Sequence, residues 1–305
     1  MTASARAAQP SYVVLPREID PDSTVLQFLV QHFNRIDAAT WRTRVLEGKV
    51  HWLDGSLITQ ETPCRPMARV YYYREVPVEA KIPFEERILH QDEHAILVYK
   101  PHFLPVTPSG NFVNECLVHR LRLKTGISTI VPAHRLDRET AGIILMTVTP
   151  ETRHLYHALF VDKQIRKEYQ ALARLTPALQ AQLAAGELQL PVHWTVKNRL
   201  QKGLPSFTMR VTEGEANSHS EISLVAVKGD LGLFELSPIT GKTHQLRVHM
   251  QSLGMPLLND RFYPQLQPKG PDDFAKPLQL LARRLSFIDP VSGRSRDLAC
   301  EGLTL

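Results

Sequence analysis

The stretch SEISLVAVKGDLGLFELS, residues 220–237, sets the tightest limit on the fold. Two apolar-rich runs flank Gly229-Asp230-Leu231-Gly232, the residue types of a hairpin turn. ILHQDEHAILVYKP repeats the pattern, with Asp92-Glu93 between its apolar segments. Helix signals fall between such strands. TPETRHLYHALF predicts a helix capped by Thr149 with Pro150 in its first position. FELSPITGKTHQLRVHMQSLG reads as a strand, a turn at Gly241, then a helix closed by Gly254. Leu246, Met250 and Leu253 share one face of that helix. Strands and helices alternate irregularly, which predicts an α+β fold: a largely antiparallel mixed sheet with flanking helices.

A length of 305 residues predicts about two domains. Residues 1–20 read as an N-terminal arm and 21–75 as a small α/β unit. In the latter, Val25, Phe28, Leu29, Phe33 and Ile36 recur at helical spacing after the candidate caps Asp22 and Ser23. AATWRTRVLEG predicts a second helix with Val45 and Leu46 inward and Gly48 at its end. VHWLDGSLI predicts a hairpin about Asp54-Gly55. Residues 76–86, rich in charge and holding Pro77 and Pro83, read as a linker to a larger domain, 87–305.

Lys and Arg number 36 against 31 acids, giving a net charge of +5 and a pI near 9.1. That balance favours an anionic partner without requiring one. Cys64, Cys116 and Cys300 are far apart and form no CxxC, which argues against a disulfide framework or a cysteine zinc site. The first twenty residues have no apolar core of a secretory signal, and no apolar run reaches membrane-spanning length. The expectation is a cytoplasmic protein without a membrane partner.

Three polar clusters can carry chemistry. In His134-Arg135-Leu136-Asp137-Arg138-Glu139-Thr140 an aspartate sits among arginines, just before the apolar run Ile143 to Met146. Neighbouring cations hold a carboxylate ionised, and in a partly dry pocket it can attack carbon or stabilise a positive centre. A surface ion-pair network would leave the same text. In Arg166-Lys167-Glu168-Tyr169-Gln170-Ala171, a strand puts Lys167, Tyr169 and Ala171 on one face. That tyrosine can stack a base or handle a proton, or simply close a core edge. In Gly241-Lys242-Thr243-His244-Gln245-Leu246-Arg247, polar groups crowd a helix start, and His244 and Arg247 lie one turn apart. Capping by Thr243 on an exposed helix is the alternative. Neither His244 with His249 nor His154 with His157 has metal-ligand spacing and partners, so no metal is expected.

HRLDRETAG, RKEYQAL and GKTHQLRVH, in this order, resemble the RluA-type family of RNA pseudouridine synthases. The Lys100-Pro101 pair and LGMPLLNDRFYP extend the likeness over about residue 85 to the C-terminus. Residues 21–75 resemble an S4 RNA-binding domain, with Arg35, Arg42, Arg44 and Lys49 as its basic face. The resemblance implies an isomerase that turns uridine into pseudouridine in structured RNA, ribosomal or transfer, as a monomer and without a cofactor. It implies Asp137 as nucleophile or charge stabiliser at the ribose C1′ and Arg247 as its ion-pair partner. It implies Tyr169 packing on the target base and a candidate to remove the C5 proton, and Arg135 near the flipped nucleotide. Arg138, Lys167 and His244 are further candidate RNA contacts, as is the segment holding Lys197, Arg199 and Lys202. Ala141, Lys242, Asn259 and Leu281 depart from the family's usual residues, which bears on target choice. Two other classes stay open on the residues alone: a non-catalytic RNA-binding protein, and a hydrolase pairing Asp137 with Glu139.

Overall fold

The computed structural model describes residues 5–20 and 22–305; Met1 to Ser4 of the expected arm, and Pro21 at the start of the small unit, lie outside the described residues. The chain divides into two compact units, residues up to 80 with 108–114, and residues 81–107 with 115–305.

The first unit runs β1 (Ala5–Arg6), β2 (Ser11–Val14), α1 (Val25–His32), α2 (Ala38–Leu46), β3 (Val50–His51), β4 (Arg69–Tyr72) and β5 (Glu75–Val76). β2, β4 and β3 form an antiparallel sheet in that order, and β1 pairs with β5. Leu15, Val25, Leu29, Trp41, Val45, Val50, Val70 and Tyr72 make the core. The expected arm therefore supplies strands: Tyr12-Val13-Val14 is β-prone, Val13 packs on the core, and Leu15 is 0% exposed. The α1 cap is Thr24, not Asp22 or Ser23. Thr24 and Gln27 exchange side-chain and backbone bonds in a capping box, while Ser23 is occupied by the Asp20 carbonyl. On α2, Trp41 and Val45 face inward four residues apart, which rotates Leu46 to solvent at 72% exposure. Asp54-Gly55 does make a tight turn, closed by Trp52 N–H to Ser56 C=O at 2.9 Å, but the strands beside it are minimal. The expected linker is anchored: Val76 lies in β5, and the Glu79 carboxylate accepts from the Val113 and Asn114 N–H groups.

The second unit runs β6 (Arg87–Gln91), β7 (Ala95–Lys100), α3 (Leu117–Thr125), β8 (Val131–Pro132), β9 (Ala141–Thr147), α4 (Arg153–Val161), β10 (Arg166–Arg174), α5 (Pro177–Ala184), β11 (Val192–Lys202), β12 (Met209–Thr212), β13 (Ser218–Lys228), β14 (Leu231–Pro238), α6 (Gln245–Ser252), β15 (Leu280–Ile288) and β16 (Ser295–Ala299). Its sheet has eleven strands in the order β12-β11-β13-β14-β10-β15-β9-β7-β6, with β16 on β15 and β8 on β9. The α+β, mostly antiparallel expectation holds. The β13–β14 and β6–β7 hairpins turn where Gly229-Asp230 and Asp92-Glu93 stand. α4 starts one turn later than expected, with Thr152 at its N-cap position but no side-chain capping bond, because Thr149 to Thr152 close a separate turn.

Two cores flank the sheet. Leu246 and Met250 of α6 pack against Ala171, Ile222, Leu224, Phe234 and Leu236. Tyr156 and Leu159 of α4 pack with Leu97, Ile143, Leu145, Leu285 and Phe287. Among the described strands of this sheet, β9 and β15 form the one parallel pair, and their seam anchors the loop that holds Asp137. Gly142 pairs with Ala282 at φ +121°, and a Cβ there would lie 2.3 Å from the Ala282 carbonyl oxygen. Only glycine permits that approach, and it fixes the strand that the Asp137 loop feeds into.

Candidate active site

The site lies wholly in the second unit, where the β8–β9 loop meets the start of α6. The loop is closed by Thr140 N–H on the Asp137 carbonyl at 3.2 Å. It is also tied from below. Lys100, at the end of β7, is fully buried and donates to the carbonyls of Pro101, Leu104 and Arg138 at 2.9, 2.8 and 3.0 Å. Burial lowers its pKa to about 7 against the opposing pull of Asp137 and Glu139. Three carbonyls answering three N–H bonds is the coordination of an ammonium.

Arg247 is the centre of the site and only 1% exposed. Its Nε and Nη2 hold Asp260 in a fork at 2.8 and 2.6 Å. Its remaining arm, Nη1, reaches Asp137 Oδ2 at 3.4 Å and Glu139 Oε2 at 3.3 Å. The guanidinium lies 4.7 Å over the Phe262 ring. Burial disfavours this cation, but hydrogen bonds and charge from Asp260, then Asp137 and Glu139, outweigh it and raise its pKa above the ordinary arginine value. Asp260 itself has no exposed side-chain surface and accepts from the Phe262 and Tyr263 N–H groups as well. The arrangement is a clamp. One side of the guanidinium is held by Asp260, leaving the other to present fixed positive charge to Asp137.

Asp137 keeps 27% of its side chain exposed, so the carboxylate is both backed by cations and reachable. His244 approaches from the other side, its Nε2 3.8 Å from Asp137 Oδ2. It is the N-cap of α6 in a left-handed conformation, φ +52°, with no side-chain capping bond. Thr243 is thus not the cap. Gln245, the first residue of α6, instead ties down the preceding turn, its Oε1 accepting from Lys242 N–H and Thr240 Oγ1. The Tyr263 hydroxyl accepts from Met209 N–H and meets His244 Nδ1 at 2.8 Å. Burial lowers the His244 pKa. We assign the neutral ring's proton to Nε2, facing Asp137, because Nδ1 receives the tyrosine proton.

Tyr169 stands half-buried on β10. Burial and the charge of Asp137 push its phenol pKa up. It therefore stands as a neutral phenol ring beside the Asp137 carboxylate. Lys167, two residues earlier, is half-buried, and burial lowers its pKa.

The structure thus brings together Asp137, Arg247, His244 and Tyr169. Arg135 is exposed on the same loop. Arg138 is drawn away, its fork on Asp272 at 2.8 and 2.7 Å, which makes it a brace for the loop rather than an open contact. In the first unit Arg35 and Arg42 are exposed, but Lys49 pairs with Glu47 and Glu75, and Arg44 is buried beside Glu75. Sequence reasoning missed Asp260, Tyr263 and the packing of Glu139 against Arg247. The signal for Asp260 was an acid directly before Arg261-Phe262-Tyr263 in the turn after α6. Among the described residues no cluster of three His, Cys, Asp or Glu could hold a metal, and no helix is long and apolar enough to cross a membrane.

A half-buried histidine and a buried one are expected to make the unit acid-sensitive. His134 stacks on Phe160 at 4.4 Å and accepts from Leu145 N–H at 3.1 Å. Burial, helped by Lys167, lowers its pKa to about 3. His249, beside Ser218 and Asn198, is lowered by burial to about 4. An unfolded histidine titrates near 6.5. Stability carried by these neutral rings is complete above about pH 6.5 and is lost as pH falls toward 4 and 3, because the unfolded chain takes up protons first. The urea midpoint of this unit is expected to drop between pH 6.5 and 5, and a His249→Gln variant is expected to show a shallower drop. Equal slopes would remove His249 as a contributor.

Residues 94–252 match the family model for RNA pseudouridylate synthase. The dual-specificity RNA pseudouridine synthase RluA of Yersinia pestis is 30% identical over 214 residues, 70% of this chain and 98% of its own length. Ribosomal large subunit pseudouridine synthase D of Zymomonas mobilis is 30% identical over 234 residues, covering 72% of this chain and 69% of its own. Among solved structures, human RNA Pseudouridylate Synthase Domain Containing 1 superposes with a TM-score of 0.56 at 19% identity, over 73% of this chain and 86% of that one, a likeness of fold alone.

Proposed function

The chain belongs to the RNA pseudouridylate synthase family and forms pseudouridine in RNA, and from that premise we propose that Asp137 carries out the isomerisation with Arg247 as its fixed counter-ion. The observation that supports this most directly is the Arg247 clamp: a buried guanidinium held by Asp260, with its remaining arm on an accessible Asp137. The N1–C1′ bond of a flipped uridine breaks, with Asp137 attacking C1′ or stabilising its positive charge. The uracil turns and C5 bonds to C1′, displacing the Asp137 carboxylate where it has bonded there; the C5 proton passes to solvent and N1 takes one from solvent. Tyr169 offers a neutral ring against the base throughout. Arg135, on the exposed side of the loop, is suited to contact the RNA around the extruded nucleotide, whose flipping costs a few kcal/mol.

The target RNA is proposed to be structured ribosomal or transfer RNA. The test is to incubate the protein with each RNA pool from cells lacking it and map pseudouridine by carbodiimide chemistry. Sites made by the native chain and absent with Asp137→Asn support the assignment; sites made by both overturn it.

The first unit is proposed to be an S4-like RNA-binding domain. Among the described residues, Arg35 in the turn between the helices and Arg42 on α2 show no ion pair, whereas Lys49 and Arg44 are engaged by carboxylates. In the full-length chain, Arg35→Glu with Arg42→Glu is expected to reduce the slope of log affinity against log salt by about 2, roughly one for each phosphate no longer neutralised. An unchanged slope would remove the helix pair from the RNA interface.

A further inference from the structure

The three-stranded sheet of the first unit gives one face to its core; the other carries a row of aromatic rings. Val13, Val50, Val70 and Tyr72 lie on the core side with α1 and α2. The period of two then turns Tyr12, Tyr71 and His51 to the opposite side. The register sets these three in a row across the strands: Tyr12 lies opposite Tyr71, and Tyr71 opposite His51. Ring centroids are 5.6 Å apart for Tyr12 and Tyr71, and 5.5 Å for Tyr71 and His51, whose planes differ by 10°. Tyr73, on the same face as Tyr71, continues the row at 5.9 Å from His51.

Each end of the row carries a guanidinium. Arg69 sits 4.9 Å over the Tyr12 ring, and Arg6 4.9 Å over the Tyr73 ring. Among the described residues no carboxylate lies within ion-pair distance of either arginine, and Tyr12 is 52% exposed. This contrasts with Arg44 and Lys49, which Glu75 neutralises. His51 Nδ1 contacts the Trp52 carbonyl at 2.7 Å, so its proton lies there and Nε2 is left as an acceptor.

We propose that this face binds a single-stranded stretch of RNA, its bases stacked along the row of Tyr12, Tyr71, His51 and Tyr73 and its phosphates met by Arg6 and Arg69, which leave the Tyr73 and Tyr12 rings to reach them. The chemistry selects the occupant. Rings accept any base that offers an open π-face, which a single strand does and a duplex does not. Unneutralised guanidiniums at both ends suit a polyanion running along the row. The proposal rests on RNA being this enzyme's substrate.

The test uses the full chain and two probes, a labelled oligouridine of about 12 nucleotides and an RNA duplex of about the same length, read by fluorescence anisotropy. Tyr12→Ala with Tyr71→Ala is expected to weaken oligouridine binding about tenfold or more, with duplex binding unchanged. Tyr71→Phe keeps the ring and is expected to keep the affinity. Tyr12→Ala alone changes only an exposed ring, so its smaller loss is readable even if the double variant folds poorly. Native-like oligouridine affinity in the alanine variants overturns the platform, and so does an equal loss on both probes. Asp137→Asn separates this from the active-site assignment. It is expected to bind oligouridine normally while forming no pseudouridine, so failure of either reading shows independently.

Discussion

Asp137→Asn is expected to lower the rate of pseudouridine formation by roughly four orders of magnitude, the scale seen when a group acting directly on the reacting atoms is removed. The substitution is nearly isosteric. It takes away the charge and nucleophilicity of the carboxylate while leaving Arg247 its other partners, Asp260 and Glu139. Unfolding free energy should therefore stay within about 1 kcal/mol of the native chain. RNA affinity should hold or improve, since one negative charge facing a polyanion is gone. A single-turnover assay following tritium released from C5 of labelled uridine reads the rate, and anisotropy reads the affinity. A rate within tenfold of native would mean that the carboxylate is not the reacting group. Glu139, on the same guanidinium arm, would then be the residue to replace.

Much of this site was legible because its chemistry is concentrated in short text. Asp137 among arginines, Tyr169 on an alternating strand, and His244 one turn from Arg247 stand out as local clusters, and it is the family resemblance that joins them into one candidate site. What was not legible depends on distance in the chain. Arg138 reads as a free cation beside Asp137, yet its partner Asp272 lies 134 residues away. Lys49 and Arg44 read as a basic face until Glu75, in the text taken for the boundary of a linker, folds beside them. Asp260 looks like a turn former, and nothing in the linear order says that its carboxylate is closed over by Arg247. The antiparallel class could be seen in two hairpins. The parallel seam of β9 on β15 could not, although Gly142, forced by contact with Ala282, is its trace in the sequence. Strands of two residues such as β1 and β5 are too short to show any period, which is why the arm and linker concealed them.

Asp260→Ala is expected to be the most destabilising single change at the site, at about 3–5 kcal/mol, because it strands a buried cation. Arg247 would lose two of its short hydrogen bonds, and the N–H groups of Phe262 and Tyr263 would lose their acceptor. Asp137 and Glu139 would remain beside Nη1, but only at 3.4 and 3.3 Å, too long to replace the fork. Freed from Asp260, the guanidinium can swing, so turnover should fall along with stability. These two effects can be separated. Replacing the pair together, Arg247→Met with Asp260→Leu, removes the stranded charge, and stability should recover most of the loss apart from the two orphaned N–H groups. Turnover should stay at the level of Arg247→Met alone, since apolar packing restores the core but presents no charge to Asp137. Urea unfolding and the tritium assay on the three variants read the two quantities. An Asp260→Ala chain within about 1 kcal/mol of native would show that the fork is not what holds Arg247, and the clamp would lose its anchor.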